Sequence, residues 1–283
     1  MAYMRILLTN DDGVYAPGLA AMERALRRLG EVFVVAPIRE QSGVAHAITF
    51  LTPLQARKVY VNDKHWAWTV DGSPADCVKL AVSTILPERP DLVVSGINGG
   101  LNAGINVLYS GTVGAAVEGA FYGITSIAVS LQYDENEPFQ RAADLATDVI
   151  GNILKHNGSS GRLYNLNIPL KALRNDVPEV RVVPMDAAQY WETFERRTDP
   201  MGRNYYWLSG RPDSRQPKNN NPERLTDLTA LSQGYITITP LNYDVTDKQG
   251  IKEMLNWNLT PQEDILHSDS EHTGPRVRVS WRG

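Results

Sequence analysis

The sequence predicts an α/β fold: a doubly wound, mostly parallel sheet in a three-layer α/β/α sandwich, with a smaller β-rich C-terminal appendage or swapped arm. Three observations predict it. Apolar runs of strand length recur at Met4–Leu8, Glu31–Pro37, Asp91–Ser95, Ile124–Leu131 and Arg162–Ile168. Helical segments fall between most of them, the alternation of a parallel sheet covered on both faces. The first three runs end in loops of Gly, Asn, Asp and Ser, at the strand ends where open α/β sheets bind ligands.

The first run, apolar save for Arg5, breaks into Thr9-Asn10-Asp11-Asp12-Gly13. Pro17 then opens a helix reaching about Leu29. Glu31–Pro37 is closed by its proline, and the loop from Ile38 to Val44 carries Gln41-Ser42-Gly43. Residues 47–70 alternate in a β-like way, with Lys58–Val61 and Trp66–Val70 flanking the turn at Asn62–His65, a hairpin pattern. Trp66 and Trp68, two residues apart, are expected to pack one strand face or an interface. Ser73 as N-cap, Pro74 at the first helical position and Asp76 in the first turn start a helix to about Leu86. Asp91–Ser95 opens into a loop of Gly and Asn from Gly96 to Asn106. Ser110-Gly111-Thr112 feeds a helix of small residues that can pack closely on the sheet. Pro138–His156 is a long amphipathic helix, and Arg162–Ile168 the last core strand.

Beyond Pro169 the pattern changes to short β-like pieces at Glu179–Val183, Tyr205–Leu208 and Tyr235–Pro240, separated by polar stretches such as Asp213–Arg224. Residues 1–169 are therefore expected to form the core and 170–283 an appendage or oligomerisation arm. The strand at 235–241 is expected to return to the core. No internal repeat is found.

Composition excludes several classes of function. The 283 residues carry a formal net charge of −4, which argues against a nucleic-acid polymer as partner, because phosphate contacts need clustered Lys and Arg. Cys77 is the one cysteine, so no intrachain disulfide can form, which fits a reducing compartment. It reads as a buried small hydrophobe on a helix's inner face. No basic segment followed by a long apolar run marks a signal peptide, and no stretch is apolar enough for a membrane span. The expected setting is cytoplasmic.

The chemistry is expected at the strand ends. Asp11-Asp12-Gly13 taken alone reads equally as a solvated turn. At a strand's carboxyl end, however, the adjacent acids repel each other and lose solvation if buried unpaired, a cost that a hard divalent cation removes. Gly13 lets the chain turn or approach a ligand closely. Four loops converge if the sheet is parallel, and their oxygen ligands are Asp11, Asp12, Ser42 and Asn98. Carboxylates, a hydroxyl and an amide oxygen describe a site for one Mg²⁺ or Mn²⁺; zinc, which favours Cys and His, fits less well. Ser110-Gly111-Thr112 has the composition of a phosphate cradle at a helix N-terminus, or of a plain N-cap. Dinucleotide and ATP-binding glycine motifs are absent. His46 is a candidate proton donor, although a lone histidine is more often structural. No Ser-His-Asp arrangement stands out.

Five motifs, in order and spacing, resemble the survival protein SurE family: Thr9–Gly13, Gln41–Gly43, Gly72–Val78, Ser95–Gly104 and Tyr109–Val113. The stretch Tyr235–Leu241 resembles its later strand motif. The resemblance implies a Rossmann-like core and a metal-dependent 5'-nucleotidase acting on nucleoside 5'-monophosphates, with 3'-monophosphates and short polyphosphate as further substrates. By position, Asp11, Asp12, Ser42 and Asn98 would hold one divalent metal. Asn10, Gly13, Ser110, Gly111 and Thr112 would surround the phosphate, and Asp11, Asp12 and Asn10 would carry catalysis. The resemblance also implies a homodimer or homotetramer exchanging C-terminal segments. Residues 190–224 and the tail after Asp244 align with no part of that family's pattern.

Three rivals remain at the level of sequence. A non-catalytic nucleotide-binding sensor would keep the loops without cleaving, and retention of both aspartates disfavours it. A metal-using glycosyl transferase usually spaces its acids by one residue, whereas these are adjacent. A purely structural assembly protein would oligomerise and release no phosphate.

Overall fold

The computed structural model describes residues 4–135, 139–156, 161–187, 193–209, 225–257 and 259. The first strand, β1 (Met4–Thr9), is followed by α1 (Pro17–Leu26) and β2 (Gly30–Pro37). Next come the hairpin β3 (Ala56–Val61) and β4 (Lys64–Val70), then α2 (Pro74–Leu80), which continues as a π-helical turn at Ala81–Ile85. The second half of the core is β5 (Leu92–Gly99), α3 (Gly111–Phe121), β6 (Thr125–Leu131), α4 (Phe139–His156) and β7 (Leu163–Ile168). After it come α5 (Leu170–Leu173), β8 (Val180–Val182), the ribbon β9 (Thr193–Thr198) and β10 (Asn204–Ser209), α6 (Asp227–Gln233), β11 (Ile236–Leu241) and α7 (Lys248–Met254).

Nine strands form one sheet in the order β3-β4-β2-β1-β5-β6-β7-β11-β8, and β9 and β10 form a separate antiparallel pair. The six strands from β4 to β7 run parallel. β3 is antiparallel to β4, and β11 is antiparallel to β7. The chain winds outward from β1 through β2 to β4, then returns to the other side of β1 and winds through β5, β6 and β7. The direction reverses between β1 and β5, and the crevice at a reversal of this kind is where such sheets bind ligands.

Alternation along the strands fills two core layers. Ile6, Leu8, Val34, Val94, Ile127 and Leu166 pack against Leu19, Met22 and Leu26 of α1 and Ala142, Ala146 and Ile150 of α4. Leu7, Val35 and Val93 face the other way, onto Cys77 and Val78 of α2 and Ala115 of α3. The doubly wound expectation is therefore met, with helices on both faces. Cys77 is fully buried, as expected.

Several local expectations are corrected. α1 stops at Leu26 rather than Leu29. β5 runs to Gly99, through the first part of the predicted Gly-Asn loop, because Asn98 and Gly99 keep pairing with Ser130 and Leu131 after a register shift. The end of that loop, Gly104–Leu108, is a 3-10 helix. Trp66 and Trp68 do not share a face. The β3–β4 register shifts, with Val59 opposite Ala67 and Tyr60 opposite His65, so Trp66 is the extra residue of a bulge. Trp66 packs on the α1/α4 layer and Trp68 on the α2 layer.

The chain divides into two compact units at Tyr243/Asp244. β11 and β8 lie in the main sheet, so much of the sequence after Pro169 belongs to the first unit. The second unit contains α7, capped by Asp247, whose carboxylate accepts from the N–H groups of Gln249 and Gly250. The expected polar linker at Asp213–Arg224 lies outside the described residues. Among the described residues, no helix is long and apolar enough to cross a membrane.

One buried carboxylate ties the later part of the first unit to the core. Asp227, at the start of α6 and fully buried, accepts from the N–H of Gly104 at 2.7 Å, of Asp186 at 2.9 Å and of Leu228 at 2.8 Å. Asp227→Ala strands two buried donors and a part-buried one and is expected to lower stability by about 3–5 kcal/mol, measured by urea unfolding.

Candidate active site

Every parallel strand near the reversal presents its carboxyl end to one crevice. β1 delivers Asn10, Asp11 and Asp12 there. Ile6, Leu7 and Leu8 are fully buried on alternate faces of the strand, so the acids can begin only where the sheet ends. Asn10 folds back, its amide nitrogen donating to the carbonyl of Gly13 at 3.0 Å, while Gly13 adopts φ +97°. This pinned turn fixes the direction of the two carboxylates. Asn10 Oδ1 is buried with no hydrogen-bond partner among the described residues.

Asp11 is 4% exposed and meets the N-terminus of α3. The Thr112 hydroxyl donates to its Oδ1 at 2.5 Å. Gly111 lies so close that an added Cβ would sit 3.0 Å from Asp11 Oδ2 and 3.2 Å from the carbonyl oxygen of Gln41. Glycine is the residue that allows that approach without displacement. Ser110 is the N-cap of α3, its hydroxyl accepting from the N–H of Val113 at 3.1 Å. The plain capping role is therefore present, and the remaining N–H groups of the first turn keep the positive end of the helix dipole beside Asp11.

Asp12 is half-buried and accepts from the N–H of Gly99 at 3.4 Å. Burial and the charge of Asp11 push its carboxyl up to about 6, against the Gly99 N–H, with Glu40 adding to the rise. Burial also raises Asp11, opposed by the Thr112 hydroxyl and backbone N–H groups. Both carboxylates thus sit where their ionised forms are only partly compensated.

The structure brings Asn10, Asp11, Asp12, Gly13, Gly111 and Thr112 together. Asn98 and Ser42 reach the site through their neighbours. Gly99 bonds Asp12, and the N–H of Gln41 donates to the carbonyl of Asp11 at 2.7 Å. The Asn98 amide nitrogen donates to the Gly100 carbonyl at 2.6 Å, and the exposed Ser42 hydroxyl donates to Glu40 at 2.6 Å. His46 meets Glu118 of α3 at 2.8 Å.

Sequence reasoning misses the layer beneath. Asn102 N–H donates to Asn167 Oδ1 at 2.9 Å, and its carbonyl accepts from Asn165 and Asn167 at 2.7 and 3.0 Å. Its amide nitrogen donates to Ser130 at 2.8 Å and reaches Thr112 Oγ1 at 3.4 Å. A buried amide network thus backs the hydroxyl that holds Asp11. The available signal is Asn165 and Asn167 alternating inside a core strand, polar where apolar residues belong. Glu40, a third acid beside the pair, carries no signal of its own in the sequence.

The family model described as Survival protein SurE matches residues 6–192. A protein named 5'-nucleotidase SurE, from Rhodopirellula baltica, is 55% identical over 91% of this chain and 100% of its own length. The chain belongs to the SurE family. Another relative of that name, from Desulforudis audaxviator, is 42% identical over 90% of this chain and 97% of its own. The crystal structure of SurE protein from Aquifex aeolicus superposes with a TM-score of 0.73 at 38% identity, covering 88% of this chain and 98% of that one. The motif after β1 that marks this SurE chain in sequence is thus the turn that carries its buried acid pair.

The raised Asp12 carboxyl has a consequence for stability. Its folded-state value near 6 lies above the ordinary 3.8, so the proton-bound form favours folding and the ionised form costs stability. That cost is absent below about pH 4 and fully developed above about pH 6. In protein stripped with EDTA, Asp12→Asn is expected to raise stability at pH 7.5 by about 1–2 kcal/mol, the rise being discounted for partial exposure. Unfolding curves at a series of pH values should show that gain shrinking toward pH 4.

Proposed function

We propose that the chain is a metal-dependent phosphomonoesterase that hydrolyses nucleoside 5'-monophosphates to nucleoside and phosphate. The observation that carries the reading is the contact of the Asp11 carboxylate with Thr112, which sets an acid pair against the first turn of α3. Relatives named 5'-nucleotidase SurE, at up to 55% identity over nearly the whole chain, support the activity.

The residues fit a hard divalent cation, Mg²⁺ or Mn²⁺. Two adjoining carboxylates are met by neutral donors alone, and the side chains around them offer oxygens. No cluster of three or more His, Cys, Asp and Glu suited to a metal occurs among the described residues. Asp11 and Asp12 would therefore hold the ion with neutral oxygens, those of Ser42 and Asn98, and water. When bound, the cation supplies Lewis acidity that polarises a phosphoryl oxygen and lets water attack near neutral pH. The chain's own residues do the rest. Asn10 and the N–H groups of Gly111 and Thr112 receive the phosphoryl oxygens, where charge grows in the transition state. Gly13 gives the backbone room beside them. Thr112 keeps Asp11 in place, and one of the two aspartates takes the proton of the attacking water.

3'-Monophosphates and short polyphosphate share the terminal phosphoryl group and are proposed as secondary substrates. The β9–β10 ribbon leaves Phe194, Tyr206 and Trp207 largely exposed, and a two-stranded ribbon is marginal by itself. This supports a homodimer or homotetramer built through the C-terminal region. A single buried cysteine suits a cytoplasmic enzyme.

The test is phosphate release from a panel of 5'- and 3'-monophosphates and short polyphosphate, after EDTA and with Mg²⁺ or Mn²⁺ restored. Metal-restored release from 5'-monophosphates is expected. Absence of release from folded protein with either metal would overturn the reading in favour of a nucleotide sensor. Asp12→Asn should lower kcat by about 100-fold or more. Thr112→Val, which removes only the hydroxyl on Asp11, should raise the metal concentration at half-activation by about 10–100-fold.

A further inference from the structure

A buried carboxylate outside the acid pair joins the two sides of the crevice. Glu118 is 3% exposed although it lies in α3, two turns beyond Ser110. Both of its oxygens are taken. One meets His46 Nε2 at 2.8 Å, the other Lys79 Nζ of α2 at 2.7 Å. Four residues earlier on the same helix face, Gly114 leaves the backbone bare. A Cβ there would collide with the Ala45 carbonyl oxygen and lie 3.0 Å from His46 Cα. The loop after β2 therefore lies on α3, along the face that Gly114 and Glu118 share.

That loop is held at several points. The Gln41 N–H donates to the Asp11 carbonyl at 2.7 Å, and the Ala45 N–H to the Tyr109 carbonyl at 2.9 Å. The Ser73 hydroxyl donates to the Ala47 carbonyl at 2.6 Å, and the Thr49 N–H to Asp76 at 2.9 Å. Ala45 sits at φ +54°, a conformation that L-residues adopt only when their surroundings impose it. Next to this strained residue the His46 ring is fixed twice, by Glu118 and by edge contact with Phe121 at 5.1 Å between centroids.

We propose that Glu118 is a positioning residue: through His46 it clamps the loop carrying Gln41 and Ser42 onto α3, setting that loop against the Ser110–Thr112 turn. Lys79 offsets the carboxylate's remaining charge, so the clamp ties α2, α3 and the loop at one point. The spacing between Ser42 and Thr112 then depends on a contact made away from both. The inference rests on the proposed active site for its Mn²⁺ and activity readouts, and not for the exchange readout.

The test compares His46→Ala, His46→Gln and Glu118→Gln in the full chain. Amide hydrogen exchange reports the loop, Mn²⁺ titration reports the site, and kcat at saturating metal reports the chemistry. In His46→Ala, exchange at Gln41 and Ala45 should quicken about tenfold while β1, β5 and β6 amides stay protected. The Mn²⁺ concentration at half-saturation should rise about tenfold, with kcat at saturating metal within about twofold of wild type. His46→Gln, which can still donate to Glu118, should recover most of both losses. Glu118→Gln should move the same readouts further. If Glu118→Gln does not fold, His46→Ala, at a partly exposed position, decides. Unchanged protection at Gln41 and Ala45 together with unchanged Mn²⁺ binding in His46→Ala would overturn the proposal. If wild type neither binds Mn²⁺ nor releases phosphate, the phosphatase reading fails, and the exchange data still judge the clamp.

Discussion

Two carboxylates forced side by side at the end of a buried strand are the constraint around which this molecule is arranged. β1 lies inside the sheet, and the order of winding reverses beside it, so Asp11 and Asp12 emerge in a crevice that loops from both halves reach. Burial and mutual repulsion raise the Asp12 carboxyl, and burial raises that of Asp11. The surroundings counter this with neutral donors, the Thr112 hydroxyl and the Gly99 N–H. Partial compensation of that kind holds the groups in place without satisfying their charge. The fold gives up stability here, as adjacent ionised acids without full compensation must.

The rest of the first unit keeps that pair from relaxing. Asn102 is bonded by Asn165, Asn167, Ser130 and Thr112, so the loop after β5 is stitched to β6, β7 and α3. Asp227 fastens the next stretch of that loop at Gly104. Glu118 does for the loop after β2 what the amide network does for the loop after β5. Each anchor is a buried polar group with named partners. Such groups fix geometry more than they add net stability.

Much of the site is legible because its chemistry is local. Thr-Asn-Asp-Asp-Gly after an apolar run is a poor strand and a poor helix, so the run marks a turn, and its place at the carboxyl end of a strand is what points to a site. Ser73, Pro74 and Asp76 announce a helix start, and the capping box is there. Asn165 and Asn167 are less legible. Their meaning depends on Asn102, more than 60 residues away, and a buried asparagine has no signature until its partner is known. Glu40 reads as an ordinary loop acid, and His46 as a lone histidine, for the same reason. Trp66 and Trp68 are misplaced by the sequence because a single-residue bulge reverses the face assignment that alternation predicts.

The sequence by itself determined the layer architecture, the strand-end loops and the acid pair, because hydrophobic period and turn chemistry act over a few residues. Only the tertiary structure decided strand order, the register that carries β5 on to Gly99, and the place of β11 between β7 and β8. It alone decided that Thr112 meets Asp11 and that Glu118 meets His46. Those contacts span 101 and 72 residues. They are set by which strands neighbour β1, and that order comes from packing of the whole sheet rather than from any one stretch of chain.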